Sequence, residues 1–366
     1  MSSSFPNQPE QLTAAWLTDT LRASGALGAD RTVDTFEVSP VGAGVGLLGM
    51  VMRLQLTYRD GQPGAEPSSL VVKFAHPVAE NRAIAMNTRM YEREVSFFND
   101  IAGSVDVPKP HCHFAAVNTT TGENIVVLED LGVYRAGDQV TGATPAEVRQ
   151  IIDAMAPLHA AYWGRTDLDL LADAMRIDTS YAEAFPPSLH ATWERGSQQF
   201  AHVIAPDVLA ETERYVANLT RLHSLMGQCT QTVVHGDVRL DNVMFGGAEG
   251  QHPVMLIDWQ AIMVSNPLHD LAYLLSQSLK VEDRRAHERE LVEHYHARVS
   301  ELGVTDFSLE QCWAGYDVGV LFLWSYPLII GGFCDMDDPR AVALAEAVLS
   351  RASATVSDRG LLAMLA

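Results

Sequence analysis

Basic residues are scarce in this chain. Lys and Arg number 25 against 46 Asp and Glu, which leaves a formal charge of −21. The deficit is −6 over residues 1–131 and −15 over residues 132–366. Such acidity opposes nucleic acid or an anionic membrane as the main partner. Cysteine is sparse too. Cys112, Cys229, Cys312 and Cys334 lie far apart, with no pair at metal-ligand spacing. His111-Cys112-His113 has no second cluster to complete a metal site, so a strand segment is expected there. The N-terminal MSSSFPNQPE lacks both a basic region and an apolar core, which argues against a signal peptide. The longest apolar run, residues 318–333, is interrupted by Ser325, Tyr326 and Pro327. It falls short of the roughly 20 residues of a membrane span, so a buried helix ending near Pro327 is expected. Repeats and low-complexity segments are missing as well. These absences predict a cytoplasmic protein with no obligate protein partner.

What is present points to a folded protein of two lobes. Hydrophobic residues make up 47% of the chain, too many for disorder. Its 366 residues exceed one ordinary core. Apolar spacing predicts a helix over 9–24, then strands over 35–41, 49–58 and 69–75, with a turn or loop at 60–67. A helix over 79–101 and strands at 113–117 and 124–128 follow. Beyond residue 131 the pattern changes to long helices: 145–163, 206–226, 267–278, 283–302, 309–328 and 339–350. Only 232–234, 243–245 and 254–257 look extended there. The expected fold class is therefore α+β, with a small antiparallel-sheet lobe over 1–131 and a larger, mainly helical lobe over 132–366.

Chemistry concentrates in VVHGDVRLDNVMF at 233–245 and LIDWQ at 256–260. Asp237, Asn242 and Asp258 follow short apolar strands. Protein kinases use a comparable set, in which an Asp receives the substrate hydroxyl proton while an Asn and a second Asp hold magnesium on the phosphates. Here His-Gly-Asp replaces His-Arg-Asp and Asp-Trp-Gln replaces Asp-Phe-Gly, which favours a small-molecule kinase over a protein kinase. No Ala-Pro-Glu segment follows Asp258. In this reading Asp237 positions and deprotonates the attacking hydroxyl, and Asn242 and Asp258 are oxygen ligands for Mg²⁺. His235 and Asp241 brace the loop. Arg239 either pairs with a loop acid or reaches the transferred phosphate. Asp270, in NPLHDLAYLL, has two readings: a brace acting through His235 or a backbone amide, or a first-turn acid stabilised by the helix dipole.

Upstream, PVGAGVGLLG at 40–49 puts Gly42, Gly44 and Gly46 between two expected strands, where glycine backbone can approach phosphate closely. It is neither a Walker loop nor a dinucleotide turn. Lys73, one of only two lysines in the first 131 residues, ends an apolar strand and suits the α- and β-phosphates of ATP. Glu94 in MYEREVSFF is the preferred ion-pair partner, with Glu92 the competing choice. IVVLEDL at 125–131 ends in an acidic turn, and Glu129 and Leu131 are placed by position alone as backbone contacts to the adenine.

At these residues the chain resembles the aminoglycoside phosphotransferase-like kinases, in particular their ecdysteroid kinase-like branch. Matching segments are VVHGDVRLDNVMF, LIDWQ with DLAYLL, IVVLEDL, EREVSFF and APLHAAYWG, spread over about residues 42–275. The resemblance implies a two-lobed protein-kinase-like fold, ATP and magnesium, and γ-phosphate transfer to a hydroxyl. It does not name the acceptor. Trp163, Trp259, Trp313, Trp324, Tyr326 and Phe333 are candidates to line an acceptor pocket and would favour a small apolar alcohol. Asp335, Asp337 and Asp338 would suit an amine-bearing acceptor such as an aminoglycoside. A non-catalytic nucleotide-binding pseudokinase is the remaining alternative, although it would have no use for Asp237.

Overall fold

The computed structural model describes residues 5–45, 49–59, 64–171 and 174–365. The chain forms two compact units, one of Met1–Ser104 with Lys109–Tyr134, the other of Val105–Pro108 with Arg135–Ala366. The fold is the two-lobed, protein-kinase-like α+β class.

The first unit is built on helix α1 (Ala14–Ala23), strands β1 (Val33–Val45), β2 (Gly49–Tyr58) and β3 (Ser69–Ala75), helices α2 (Ala79–Asn87) and α3 (Met90–Ser96), and strands β4 (Cys112–Val117) and β5 (Asn124–Glu129). Every pairing in its sheet is antiparallel, in the order β1-β2-β3-β5-β4. Alternation decides the faces. Leu70, Val72 and Phe74 of β3 are buried with Leu54, Leu56, Ile125 and Val127 against Leu17 and Leu21 of α1. Each such side chain contributes about 1.5–3 kcal/mol of burial. The opposite face packs Val126 and Leu128 against Val95 of α3.

Two expected helices of this unit are broken. Residues 9–24 split into a short 3₁₀ turn at Pro9–Gln11 and α1, because the Thr13 hydroxyl caps a fresh start by accepting from Trp16 N at 3.1 Å. Residues 79–101 break at Arg89, whose φ of 53° is left-handed, and end in a π-helical turn at Phe97–Ile101. No helix continues through such a residue.

In the second unit β6 (Arg135–Ala136) leads into α4 (Pro145–Ala161), followed by α5 (Ser180–Ala184), α6 (Pro186–Gln199), α7 (Pro206–Ala210), α8 (Thr212–Ala217) and α9 (Leu219–Gln228). Four short strands come next: β7 (Thr232–Val234), β8 (Val243–Phe245), β9 (Val254–Leu256) and β10 (Met263–Ser265). The unit closes with α10 (Leu268–Ser278), α11 (Val281–Glu301), α12 (Leu309–Leu323), α13 (Ser325–Phe333) and α14 (Pro339–Asp358). The strands form two small antiparallel ribbons, β6-β8-β9 and β10-β7. All of α10 is buried, packed on α12 and α14.

The expected single helix 206–226 is three, jointed at Glu211 and Asn218, whose ψ values near zero interrupt the ladder. The expected helix 309–328 is two, and α13 passes through Pro327 instead of ending there. Pro327 stands in the first turn of α13, where the missing N–H has no partner to lose. Taken together across the joint at Trp324, α12 and α13 (Leu309–Phe333) make 25 residues apolar enough to cross a membrane by length and composition, a longer stretch than the run 318–333 considered from the sequence. Seventy-two per cent of its most apolar window is buried within the protein, the pattern of a core helix.

Candidate active site

In the first unit, β3 and α3 bring together the two charges expected to serve a nucleotide. Lys73 points away from the face buried under α1, and its Nζ lies 2.6 Å from Glu94 Oε1. Glu94 is almost fully buried. Removing either partner of a pair so little hydrated would strand a buried charge, which costs more than loss of a surface bridge. Glu92 is not the partner, since it meets Arg89 at 2.6 Å on the outer side of the helix. Gly42 and Gly44 fall in the last residues of β1, where the pairing with β2 shifts between Pro40 and Val45. Gly46 lies outside the described residues. Glu129 ends β5, and its amide is engaged by His111 O at 2.8 Å. Leu131 is buried and its carbonyl accepts from Tyr134 N, while among the described residues its own N–H has no partner. The Asp130 carboxylate is tied to Arg53 at 2.7 and 3.1 Å and to Gly132 N at 2.9 Å, which steadies this turn.

In the second unit, β7 delivers the chain into the loop His235–Asn242. Gly236 has φ +83°, and a Cβ there would stand 2.3 Å from Ala261 O. Only glycine fits, which explains His-Gly-Asp at this bend. The buried Asp270 of α10 holds the bend by accepting His235 N at 2.7 Å and Gly236 N at 2.8 Å. His159 of α4 donates to the same carboxylate from Nε2 at 3.1 Å, and its Nδ1 meets the Tyr295 hydroxyl at 2.9 Å. Burial alone would raise the Asp270 pKa, but the hydrogen bond and charge of His159, with His269 and His235, hold it below the usual carboxylate range. Asp270 is therefore a loop brace, not merely a first-turn acid. His235 donates from Nε2 to Ile257 O at 3.0 Å and so ties the loop to the residue before Asp258.

Asp237 is half-buried at the turn that follows. The Asn242 amide donates to both the Asp237 carbonyl and its Oδ2, each at 3.0 Å, and Arg239 Nε lies 3.8 Å from the same oxygen. The Asp237 carboxylate, and behind it Tyr273, Asp241 and Asp258, push the Arg239 pKa upward against the effect of burial. Arg239 Nε is buried without a hydrogen-bond partner among the described residues. Asp258 sits in the left-handed region at φ 63°, which Asp tolerates better than most residues, and its Oδ2 accepts from Gln260 at 3.2 Å. Asp241 accepts from Gln139 N at 3.2 Å, the brace expected of it.

Among the described residues no three His, Cys, Asp or Glu side chains form a metal cluster. The Asn242–Asp258 pair nevertheless suits magnesium. The Asn242 amide nitrogen is engaged by Asp237, and its amide oxygen together with the Asp258 carboxylate supplies hard oxygen donors. Magnesium takes one or two such protein ligands and completes its shell with water and phosphate.

Three residues around the loop carried no role in the sequence reading: His159, Gln139 and Tyr273. Gln139 is buried, accepts from Leu240 N at 2.8 Å and donates to Gln277 O at 2.9 Å. The only sequence signals are the histidine of APLHAAYWG and the tyrosine of DLAYLL; Gln139 has none. Of the aromatic acceptor candidates, Trp259 and Trp324 are fully buried core. Trp163 packs on Phe307, Trp313 lies under Arg359, and Phe333 is 60% exposed. Tyr326 alone among them is half-buried and joined to the loop region, through rings at Tyr273 (5.6 Å) and Phe185 (5.5 Å). Asp335 and Asp338 serve turn and cap, accepting Asp337 N at 3.0 Å and Arg340 N at 2.9 Å.

The profile of the ecdysteroid kinase-like family matches residues 44–303. Acyl-CoA dehydrogenase family member 11 of Homo sapiens is 25% identical over 171 residues, which cover 46% of this chain and 20% of that protein. The match thus spans about a fifth of this curated relative's length. Among solved structures, the GDP complex of wild-type aminoglycoside 2′-phosphotransferase IIIa aligns over 94% of this chain and 99% of its own, with a TM-score of 0.52 and 14% identity. A GDP and kanamycin complex of an aminoglycoside phosphotransferase aligns over 94% and 99%, with a TM-score of 0.53 and 13% identity. At such identities the structures speak for the fold alone.

Proposed function

The chain belongs to the ecdysteroid kinase-like family of small-molecule phosphotransferases, and on that premise we propose that it moves the γ-phosphate of ATP, with magnesium, to a hydroxyl of a small apolar alcohol. The observation that carries the reading is the anchored loop. Asp270 grips the backbone at 235 and 236, and just beyond that bend Asp237 and Asn242 stand in one hydrogen-bonded arrangement.

Asp237 receives and orients the acceptor hydroxyl, in a loose transition state where position counts for more than basicity. Arg239 holds that carboxylate in place by charge at 3.8 Å, and its guanidinium is the cation nearest to serve the transferred phosphate. Asn242 and Asp258 hold the metal, which when bound neutralises charge on the phosphate oxygens. Lys73 pairs with the α- and β-phosphates and is aimed by Glu94. Gly42 and Gly44, at the end of β1, would approach the phosphates, and the Leu131 N–H with the Glu129 backbone would meet the adenine. Tyr326 and its aromatic neighbours favour an apolar acceptor, whereas the turn and cap bonds of Asp335 and Asp338 leave an amine-bearing one with less support. Such a protein would act in the cytoplasm without nucleic acid or membrane.

Calorimetric titration with ATP and magnesium tests the nucleotide half. Wild type should bind, Lys73→Ala about tenfold more weakly, and Asp258→Ala should lose the magnesium dependence of binding. Equal affinity and equal magnesium dependence in all three would remove both residues from the site.

A further inference from the structure

The sheet of the first unit has one face packed under α1 and another that carries Lys73. Strand register shows what else stands on the second face. Lys73 is paired with Val51 of β2 and Val126 of β5; two residues along, Val71 is paired with Arg53 and Leu128. Directly paired residues share a face, and so do residues two apart on one strand. Arg53 therefore lies on the Lys73 face, about 7 Å further along the strands. Its guanidinium reaches past β3 to the turn after β5, where Nε lies 2.7 Å from Asp130 Oδ2 and Nη2 lies 3.1 Å from Oδ1.

We propose that Arg53 and Asp130 are positioning residues for the base end of the nucleotide, aiming the backbone of 129–131 at the adenine while Lys73 serves the phosphate end. The turn is fastened from both sides. Asp130 Oδ1 also accepts Gly132 N at 2.9 Å, and the Leu131 carbonyl accepts Tyr134 N at 2.8 Å. A Cβ on Gly132 would stand 3.1 Å from Arg53 Nη2, so the guanidinium lies directly against the turn. A fork of two bonds fixes direction as well as distance, which a single ammonium contact does not. Burial alone would raise the Asp130 pKa, but the bonds and charge of Arg53, with the Gly132 N–H, hold it below the usual carboxylate range. A backbone contact to a base strengthens binding most when the turn is already ordered, since ordering it on binding subtracts from affinity. The ion pair stands in the structure by itself; its meaning for a nucleotide rests on the function proposed above.

The test titrates the full chain, with magnesium, against ATP and against inorganic tripolyphosphate, which keeps the phosphates and lacks the base. Arg53→Ala should weaken ATP binding about tenfold and tripolyphosphate binding by less than about twofold. Arg53→Lys, which keeps the charge and loses the fork, should fall between wild type and Arg53→Ala. In an Asp130→Asn background, Arg53→Ala should weaken ATP binding by less than about twofold further, because the pair is already broken. Equal weakening of both ligands would make the pair general support for the fold, and unchanged ATP binding would remove it from the site; either result overturns the proposal. A wild type that binds neither ligand would sink the nucleotide reading itself, and the proposal with it.

Discussion

Asp270 is the residue on which the loop depends most. It gives two oxygens to three donors in a place no water reaches. Asp270→Ala would strand two backbone N–H groups and one imidazole, and removal of one member of a buried charged network costs about 3–5 kcal/mol. Urea unfolding should show a loss of that size, together with loss of turnover; a change below about 1 kcal/mol would mean the loop is held by something else. At this scale the sequence was legible wherever chemistry needs a particular side chain. Asp237, Asn242 and Asp258 stand out because an acid, an amide and a second acid recur at fixed spacing after apolar strands. Glu94 could be told from Glu92 by helical phase alone, and the 2.6 Å contact to Lys73 agrees. Residues that act on the loop from a distance left no such trace. His159 reaches Asp270 across 111 residues and Gln139 reaches Leu240 across 101.

Elements were legible where alternation between faces sets them and illegible where a single backbone angle does. The strands β2 and β3 match their expected bounds: β3 buries every second residue throughout, and β2 does so at Leu54 and Leu56. The long helices failed at their joints, since Arg89, Glu211 and Asn218 leave helical geometry without a proline or glycine to announce it. Between β6 and α4 the chain looks like plain loop, yet it supports the turn that carries Asn242. Gln139 satisfies Leu240 N at its start and Ser278 at its back (3.2 Å). Gln139→Ala leaves these groups unmatched in a buried place, at about 1–3 kcal/mol for each. Chemical denaturation should record that loss, and kcat should fall while KM for ATP holds. A variant with normal stability and normal kcat would show the connection to be passive.

For the whole molecule, acidity and acid sensitivity go together. Burial, and next the neighbouring His111, lower the His113 pKa from 6.5 to about 4. A histidine whose folded pKa is depressed binds fewer protons folded than unfolded. Its contribution to stability is present above pH 6.5 and is lost as pH falls towards 4. Thermal unfolding of His113→Gln should therefore be less sensitive than wild type over that window; identical pH profiles would show that His113 is not the titrating group. The formal charge of −21 gave the class of partner to exclude but not the partner to expect. Family membership narrows the reaction to small-molecule phosphate transfer, and the apolar acceptor proposed above rests on the aromatic group around Tyr326.

The most direct test is magnesium-dependent ADP release across a panel of alcohols, with Asp237→Ala as the blank. Steroids, terpenols, hydroxyacyl thioesters, choline, sugars and aminoglycosides would cover the acceptor classes. Turnover with at least one apolar alcohol is expected, with a loss of several orders of magnitude in the variant and ATP binding retained. Near-normal rates in Asp237→Ala, or a wild type that neither binds ATP nor turns over any acceptor, would contradict it.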